Sequence, residues 1–188
     1  MKLPIVVAMF GLSGVGKGWM ASAVCARRPA VLHLEASALL RAALNQTGEA
    51  LRTATEDVMA DNQRRLAAAF AAARAAGPYR PVLFDGHSVI DNDAGLVEIP
   101  AAVIVPLKPD HIIFVVDTGA AIAARRLADG DRRPLRTVND LERHQARARA
   151  MAQSYAAALG VPFEEVRSGD WERVSRLFDA GTGSLDSR

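Results

Sequence analysis

The sequence predicts an α/β fold: a parallel five-stranded sheet covered by helices on both faces. Three observations carry this. Short apolar runs recur along the chain, each too uniformly apolar to be a half-exposed strand. Stretches with helical spacing separate the runs and are long enough to serve as the crossovers that parallel pairing needs. The runs end in glycine or acidic residues, namely Gly11 to Gly18, Glu35, Asp85-Gly86-His87 and Asp117. In such sheets the ligand crevice lies beyond the carboxyl ends of the strands, so these four places are where chemistry is expected.

Taken in order, Pro4 to Phe10 is the first strand, and Trp19 to Arg27 reads as a helix. Ala30 to Leu34 is a second short strand bounded by Pro29 and Glu35. From Ser37 to Ala76 the pattern is helical, with a break near Thr47-Gly48. Leu66, Ala69, Phe70 and Ala73 keep helical spacing until Gly77-Pro78 stops the helix. Pro81 to Asp85 and His111 to Asp117 are the third and fourth strands. Ala120 to Ala128 and Asn139 to Leu159 are helices joined by an arginine-rich turn; Asp117 reads as a cap for the first of them. Pro162 to Arg167 is the fifth strand, followed by a short helix. Residues 1–180 are expected to form one domain, and 181–188 a flexible Gly/Ser-rich tail.

Composition narrows the function classes. The 188 residues are half apolar, which permits a full core and argues against global disorder. Aromatics make up 5%, too few for stacking surfaces on single-stranded nucleic acid. A net charge of +2 gives little support for nucleic-acid or membrane partners, and neither is expected. The lone cysteine, Cys25, excludes an internal disulfide and a cysteine-based zinc site and suggests a reducing compartment. No apolar run approaches the roughly 20 residues of a membrane helix, and glycines with Lys17 interrupt the amino-terminal run, so a cytoplasmic protein is expected. The 36 alanines and 20 arginines read as compositional bias. Against only three lysines, however, one lysine inside a glycine-rich turn needs a reason.

That turn is Gly11-Leu12-Ser13-Gly14-Val15-Gly16-Lys17, a G-x-x-x-x-G-K match between a predicted strand and a predicted helix. Glycines let backbone N–H groups converge on phosphate oxygens, the helix amino end adds a positive dipole, and lysine supplies a compact charge. A phosphate-loop nucleotide fold follows. Gly18 comes next, where the general motif has a hydroxyl for Mg²⁺. Two readings stay open: other groups hold the metal through water, or the loop lacks catalytic capacity.

The residues then resemble nucleoside monophosphate kinases, adenylate kinases in particular, with features of both bacterial and archaeal types. Gly18 fits that family's G-x-P-G-x-G-K-G-T loop, while Ser13 and Trp19 replace its proline and threonine. Leu39-Leu40-Arg41-Ala42-Ala43-Leu44, with Gly48-Glu49 and Leu51, is similar to the acceptor segment G-D-M-L-R-A-A. Phe84-Asp85-Gly86-His87 is similar to D-G-F-P and D-T-H. Leu107 to Asp110, Ala124 to Leu127, His144-Gln145 and Tyr155 resemble archaeal-type segments.

The resemblance implies an ATP- and Mg²⁺-dependent kinase with nucleotide substrates. The donor nucleotide would lie on Gly11, Ser13, Gly14, Val15, Gly16, Lys17, Gly18 and Trp19. Arg41 would grip the acceptor phosphate within helices spanning about 37–76, and Asp85 would organise Mg²⁺ through water. His87 is either a polar contact near the phosphates or a supporting histidine.

Phosphoryl transfer spreads charge over equatorial oxygens, which a protein stabilises by positioning cations. Residues 125–149 hold eight arginines against four acids. The resemblance implies a short lid at about 129–138, which would use them to exclude water. Lys17, Asp85, Arg126, Arg132 and Arg133 are therefore the catalytic candidates, and Arg136 a substrate-binding one. Two other readings keep the ATP site. One changes the acceptor to another small molecule, prompted by Ala38 and by Ser88 to Ile90 where the family has an arginine. The other, prompted by Gly18 and Trp19, is a nucleotide-dependent switch or weak ATPase that binds a partner. Cys25, His33 and His111 read as structural.

Overall fold

The computed structural model describes residues 4–44, 56–92, 95–130 and 134–179. Five parallel strands form the central sheet: β1 (Val6–Phe10), β2 (Leu32–Glu35), β3 (Val82–Asp85), β6 (His111–Val116) and β7 (Phe163–Arg167). Their spatial order is β2-β3-β1-β6-β7, which puts the strand leading into the phosphate loop at the centre. Every residue of β1 is fully buried, so its unbroken apolar run has the physical cause the sequence suggested.

The helices are α1 (Lys17–Arg27), α2 (Ala36–Leu44), α3 (Glu56–Ala76), the short α4 (Ala101–Ile104), α5 (Gly119–Ala128), α6 (Val138–Leu159) and α7 (Trp171–Arg176). They complete a three-layer α/β/α arrangement. Phe10 at the end of β1 meets Phe84 of β3 and Tyr155 of α6 edge to face, at centroid distances of 6.2 and 5.3 Å. Phe70 of α3 meets Phe84 at 5.7 Å. The aromatic cluster therefore seals the sheet directly beneath the ends of β1 and β3. No helix among the described residues is long and apolar enough to cross a membrane.

Like the short α4, a paired unit just before it in the chain has no counterpart in the sequence reading. Val89–Asn92 (β4) and Gly95–Glu98 (β5) pair antiparallel as a hairpin beside the main sheet. Its strands are four residues each and mostly half-buried, so neither gives the apolar run that marked the others. Asn92 Oδ1 accepts the Gly95 N–H at 2.9 Å, a local turn signal. The hairpin is stapled to α6: Ser88 Oγ donates to the Ala148 carbonyl at 2.8 Å, and the Tyr155 hydroxyl donates to the Ile99 carbonyl. Burial pushes the Tyr155 hydroxyl far above its ordinary pKa, with the Glu98 charge adding to the effect, so it stays a donor.

Tyr155→Phe leaves that buried carbonyl unsatisfied, which costs about 1–3 kcal/mol. A thermal melt is expected to show a midpoint lower by several degrees, at about 2–4 °C per kcal/mol for a domain of this size. An unchanged midpoint would show that the staple carries no stability.

The helix ends expected at Trp19, Arg27, Ser37, Ala76, Ala120, Ala128, Asn139 and Leu159 lie within two residues of the observed ones. α6 begins one residue early because Thr137 and Asp140 form a reciprocal capping box, and it ends at Gly160 in the left-handed region. The cap of α5 is Thr118, whose side chain accepts the Ala121 N–H, and not Asp117 as the sequence suggested. The Thr47-Gly48 break, the Gly48-Glu49 and Leu51 matches and the 181–188 tail lie outside the described residues.

Candidate phosphate-binding site

The carboxyl ends of β1, β2 and β3 and the amino end of α1 enclose a cavity of about 510 Å³. Ser13, Gly14, Gly16, Lys17, Gly18 and Trp19 line one wall. Gly11 and Val15 lie buried beneath it. Two glycines are required by the geometry. A Cβ at Gly11 would come within 2.9 Å of the Val115 carbonyl of β6. Gly16 has φ +104°, and a Cβ there would stand 2.8 Å from Ser168 Oγ. Gly16 is also the N-cap of α1, with no side chain capping the helix and no acid in its first turn. The first amides of α1 are therefore left for an anion, at the positive end of the helix dipole.

Lys17 is buried, and its ammonium lies 3.1 Å from the Gly11 carbonyl, 3.4 Å from that of Leu12 and 3.8 Å from Asp85. Asp85 follows from the register. It pairs with Met9 on one side and Glu35 on the other, which places its carboxylate beside the loop. Burial acts to raise its pKa. The Lys17 ammonium, together with His33 and His87, outweighs burial and holds the carboxyl below its ordinary 3.8. His87 Nδ1 lies 3.1 Å from the Gly11 carbonyl and 3.4 Å from the Lys17 ammonium.

Glu35 and Ser37 line the β2 side of the cavity. Arg41, one helical turn further, donates to Ser37 Oγ at 3.1 Å and lies 4.0 Å from Glu35. Arg41 thus stands behind the two residues that face the cavity.

The arginines divide in a way the sequence did not specify. Arg125 lines the cavity, pairing with Asp117 at 2.6 Å and lying 3.4 Å from the Gly14 and Val15 carbonyls. Burial acts to raise the Asp117 carboxyl, but the bonds from Arg125 and the Thr118 N–H hold it below its ordinary value. Arg126 is buried behind the loop. It donates to the Ser13 carbonyl at 2.9 Å and to Asp91 at 2.7 Å. Arg136 is also drawn to Asp91, at 3.0 Å, and to the Asn92 carbonyl at 2.7 Å. Arg132 and Arg133 lie outside the described residues.

Three residues near this site were not picked as site residues from the sequence: Arg125, His33, which read as structural, and Asp91. Gly119, Ile122 and Arg126 share the buried face of α5, and Arg125, about 100° round the helix from Arg126, lines the cavity, an orientation set by packing and not by spacing. His33 Nε2 lies 3.8 Å from Asp85, a contact made across two strands that no spacing encodes. Asp91 belongs to the unread hairpin.

Among the described residues no cluster of three or more His, Cys, Asp or Glu side chains could hold a metal alone. One buried carboxylate beside a phosphate site still suits Mg²⁺, which commonly takes one or two carboxylates and completes its shell with phosphates and water.

A glycine loop between β1 and α1, with a lysine on its cavity side and an acid at the end of the adjacent strand, defines a phosphate-loop nucleotide-binding protein. The chain belongs to the AAA domain family, whose profile matches residues 10–143. It is similar to the adenylate kinase of Methanococcus aeolicus, at 33% identity over 57% of this chain and 54% of that one. It is also similar to the adenylate kinase of Thermococcus onnurineus, at 29% identity over 82% of this chain and 81% of that one. The chain spans about half the length of the Methanococcus relatives it matches. In fold it is similar to shikimate kinase from Acinetobacter baumannii in complex with shikimate, with a TM-score of 0.60 at 12% identity over 96% of each chain. Shikimate kinase from Aquifex aeolicus gives a TM-score of 0.59 at 12% identity, over 97% of this chain and all of that one.

Proposed function

We propose that the protein transfers the γ-phosphoryl group of ATP to a nucleoside monophosphate. The observation that carries this reading is the buried Lys17–Asp85 pair beside an uncapped helix end, with Arg41 held behind Glu35 and Ser37 on the β2 side of the cavity. Residues 1–180 act as one unit, with acceptor-binding helices at about 37–76 and a short lid at about 129–138. The donor phosphates rest on the loop amides and on Lys17, which leaves its carbonyl contacts for them. Asp85 would hold Mg²⁺ through water. When bound, the metal neutralises charge on the transferring phosphates.

An acceptor phosphate oxygen attacks the γ-phosphorus, the bond to the bridging oxygen breaks, and ADP leaves. An ionised acceptor phosphate needs no base, which suits an Asp85 held as a carboxylate. Arg41 reaches past Ser37 to the acceptor phosphate, and Arg125 neutralises charge at the cavity wall. Arg126 supports the loop from behind, and the lid residues Arg132 and Arg133 keep water from the transferring group.

A second reading has its own observation. Glu35, at the end of β2 and in register with Asp85, puts a second carboxylate on the cavity wall. It could take the proton of a hydroxyl acceptor. Incubation with Mg-ATP and a panel of nucleoside monophosphates, following ADP and diphosphate products, separates the readings. Acceptor-dependent ADP is expected. ADP forming equally without any acceptor overturns the transferase reading and leaves a nucleotide-dependent switch or weak ATPase. Arg41→Ala is expected to raise the KM of the acceptor about tenfold or more while the KM of ATP stays within about twofold. Equal effects on both substrates would remove Arg41 from the acceptor site.

A further inference from the structure

We propose that Asp91 is a positioning residue that aims the phosphate loop through Arg126. The inference rests on reading the loop as the donor nucleotide site. The Asp91 side chain is 3% exposed, yet three basic groups converge on it. Arg126 donates to Oδ2 at 2.7 Å, Arg136 Nε donates to Oδ1 at 3.1 Å, and His144 Nδ1 stands 3.6 Å away. Arg126 is itself 4% exposed. One of its nitrogens meets Asp91, its Nε meets the Ser13 carbonyl at 2.9 Å, and its third nitrogen has no hydrogen-bond partner among the described residues. Among the described residues, Asp91 is therefore the charged partner that fixes this guanidinium.

The consequence follows from covalent geometry. A guanidinium is rigid and planar, so pinning one nitrogen on Asp91 sets the direction in which Nε donates. Nε holds the Ser13 carbonyl behind the loop. The Ser13–Gly14 peptide is planar and trans, so its N–H points opposite to its carbonyl. The Gly14 N–H is thereby turned away from Arg126, towards the cavity that Gly14 lines. A hairpin carboxylate thus orients an amide of the phosphate loop without touching the nucleotide. Removing its charge leaves a buried guanidinium uncompensated and free to turn, and the Ser13 peptide loses its fixed direction.

The test is the affinity of ATP and of the acceptor, read separately by titration calorimetry and by KM, in Asp91→Asn. ATP affinity is expected to fall about tenfold or more, acceptor affinity to stay within about twofold, and Asp91→Glu to recover part of the loss. A purely structural role would lower the melting temperature and leave the ATP affinity of the folded fraction unchanged; that result overturns the proposal, as does an equal loss for both substrates. If Asp91→Asn fails to fold, Arg126→Lys decides. It keeps a charge beside Asp91 but has no second donor at a fixed angle to Ser13, so unchanged ATP affinity there overturns the proposal. Wild-type protein that binds no ATP would instead overturn the reading of the loop itself.

Discussion

Lys17→Ala is expected to lower ATP turnover by about 10²–10³-fold or more, the scale set by deleting one preorganised charge at a phosphoryl or oxyanion site. The loop amides and the helix end remain, so ATP still binds, more weakly, and the larger loss falls on kcat. Lys17→Arg is not expected to restore activity. Lysine here is a compact charge in a buried slot, with its ammonium 3.1 Å from the Gly11 carbonyl and 3.8 Å from Asp85. A planar guanidinium is larger and needs a different set of acceptors. Single-turnover ADP formation measures the effect directly. Turnover of the alanine variant within tenfold of wild type would mean that the reacting phosphate does not lie on this loop.

Asp85→Asn is expected to be the next most damaging change. It keeps the shape of the side chain and removes the charge that faces Lys17 and His33. Turnover at fixed Mg²⁺ is expected to fall about 10–100-fold, and the Mg²⁺ concentration for half-maximal activity to rise. The same variant has a signature in stability. The fold lowers the Asp85 carboxyl below its ordinary 3.8, so the ionised form is the one the folded state favours. Its contribution is fully present above that value and is lost as pH falls below it through the folded pKa. Wild-type protein is therefore expected to lose more stability than Asp85→Asn between pH 5 and about pH 3. Parallel losses in the two proteins, measured by urea unfolding at each pH, would show that the ionisation of Asp85 is not linked to folding.

Much of the architecture was legible because its signals are local. β1 is buried on both faces and therefore uniformly apolar. Gly77-Pro78 ends α3 because proline cannot continue a helix, and the acid at the end of β3 stands at the carboxyl edge where parallel sheets bind ligands. The hairpin was not legible. Its four-residue strands are half-buried and carry Asp91 and Asn92, and they are strands only because α6 covers them and Tyr155 holds their stem.

The arginines mark the division most clearly. Their number in residues 125–149 and the surplus of positive charge there are properties of the chain itself, as are the glycine loop and Lys17. Which arginine faces the cavity is not. Neighbouring helical residues point about 100° apart, so the packing of Ile122 and Arg126 against the body of the protein turns Arg125 to the cavity. Asp91 acquires its three basic partners only because the hairpin meets α5, the segment just before α6 and α6 itself, 35, 45 and 53 residues away along the chain. Sequence by itself determined a layered α/β fold with a phosphate loop. The tertiary structure alone decided which charges meet and at what angle, because those contacts join residues whose separation follows no helix or strand period.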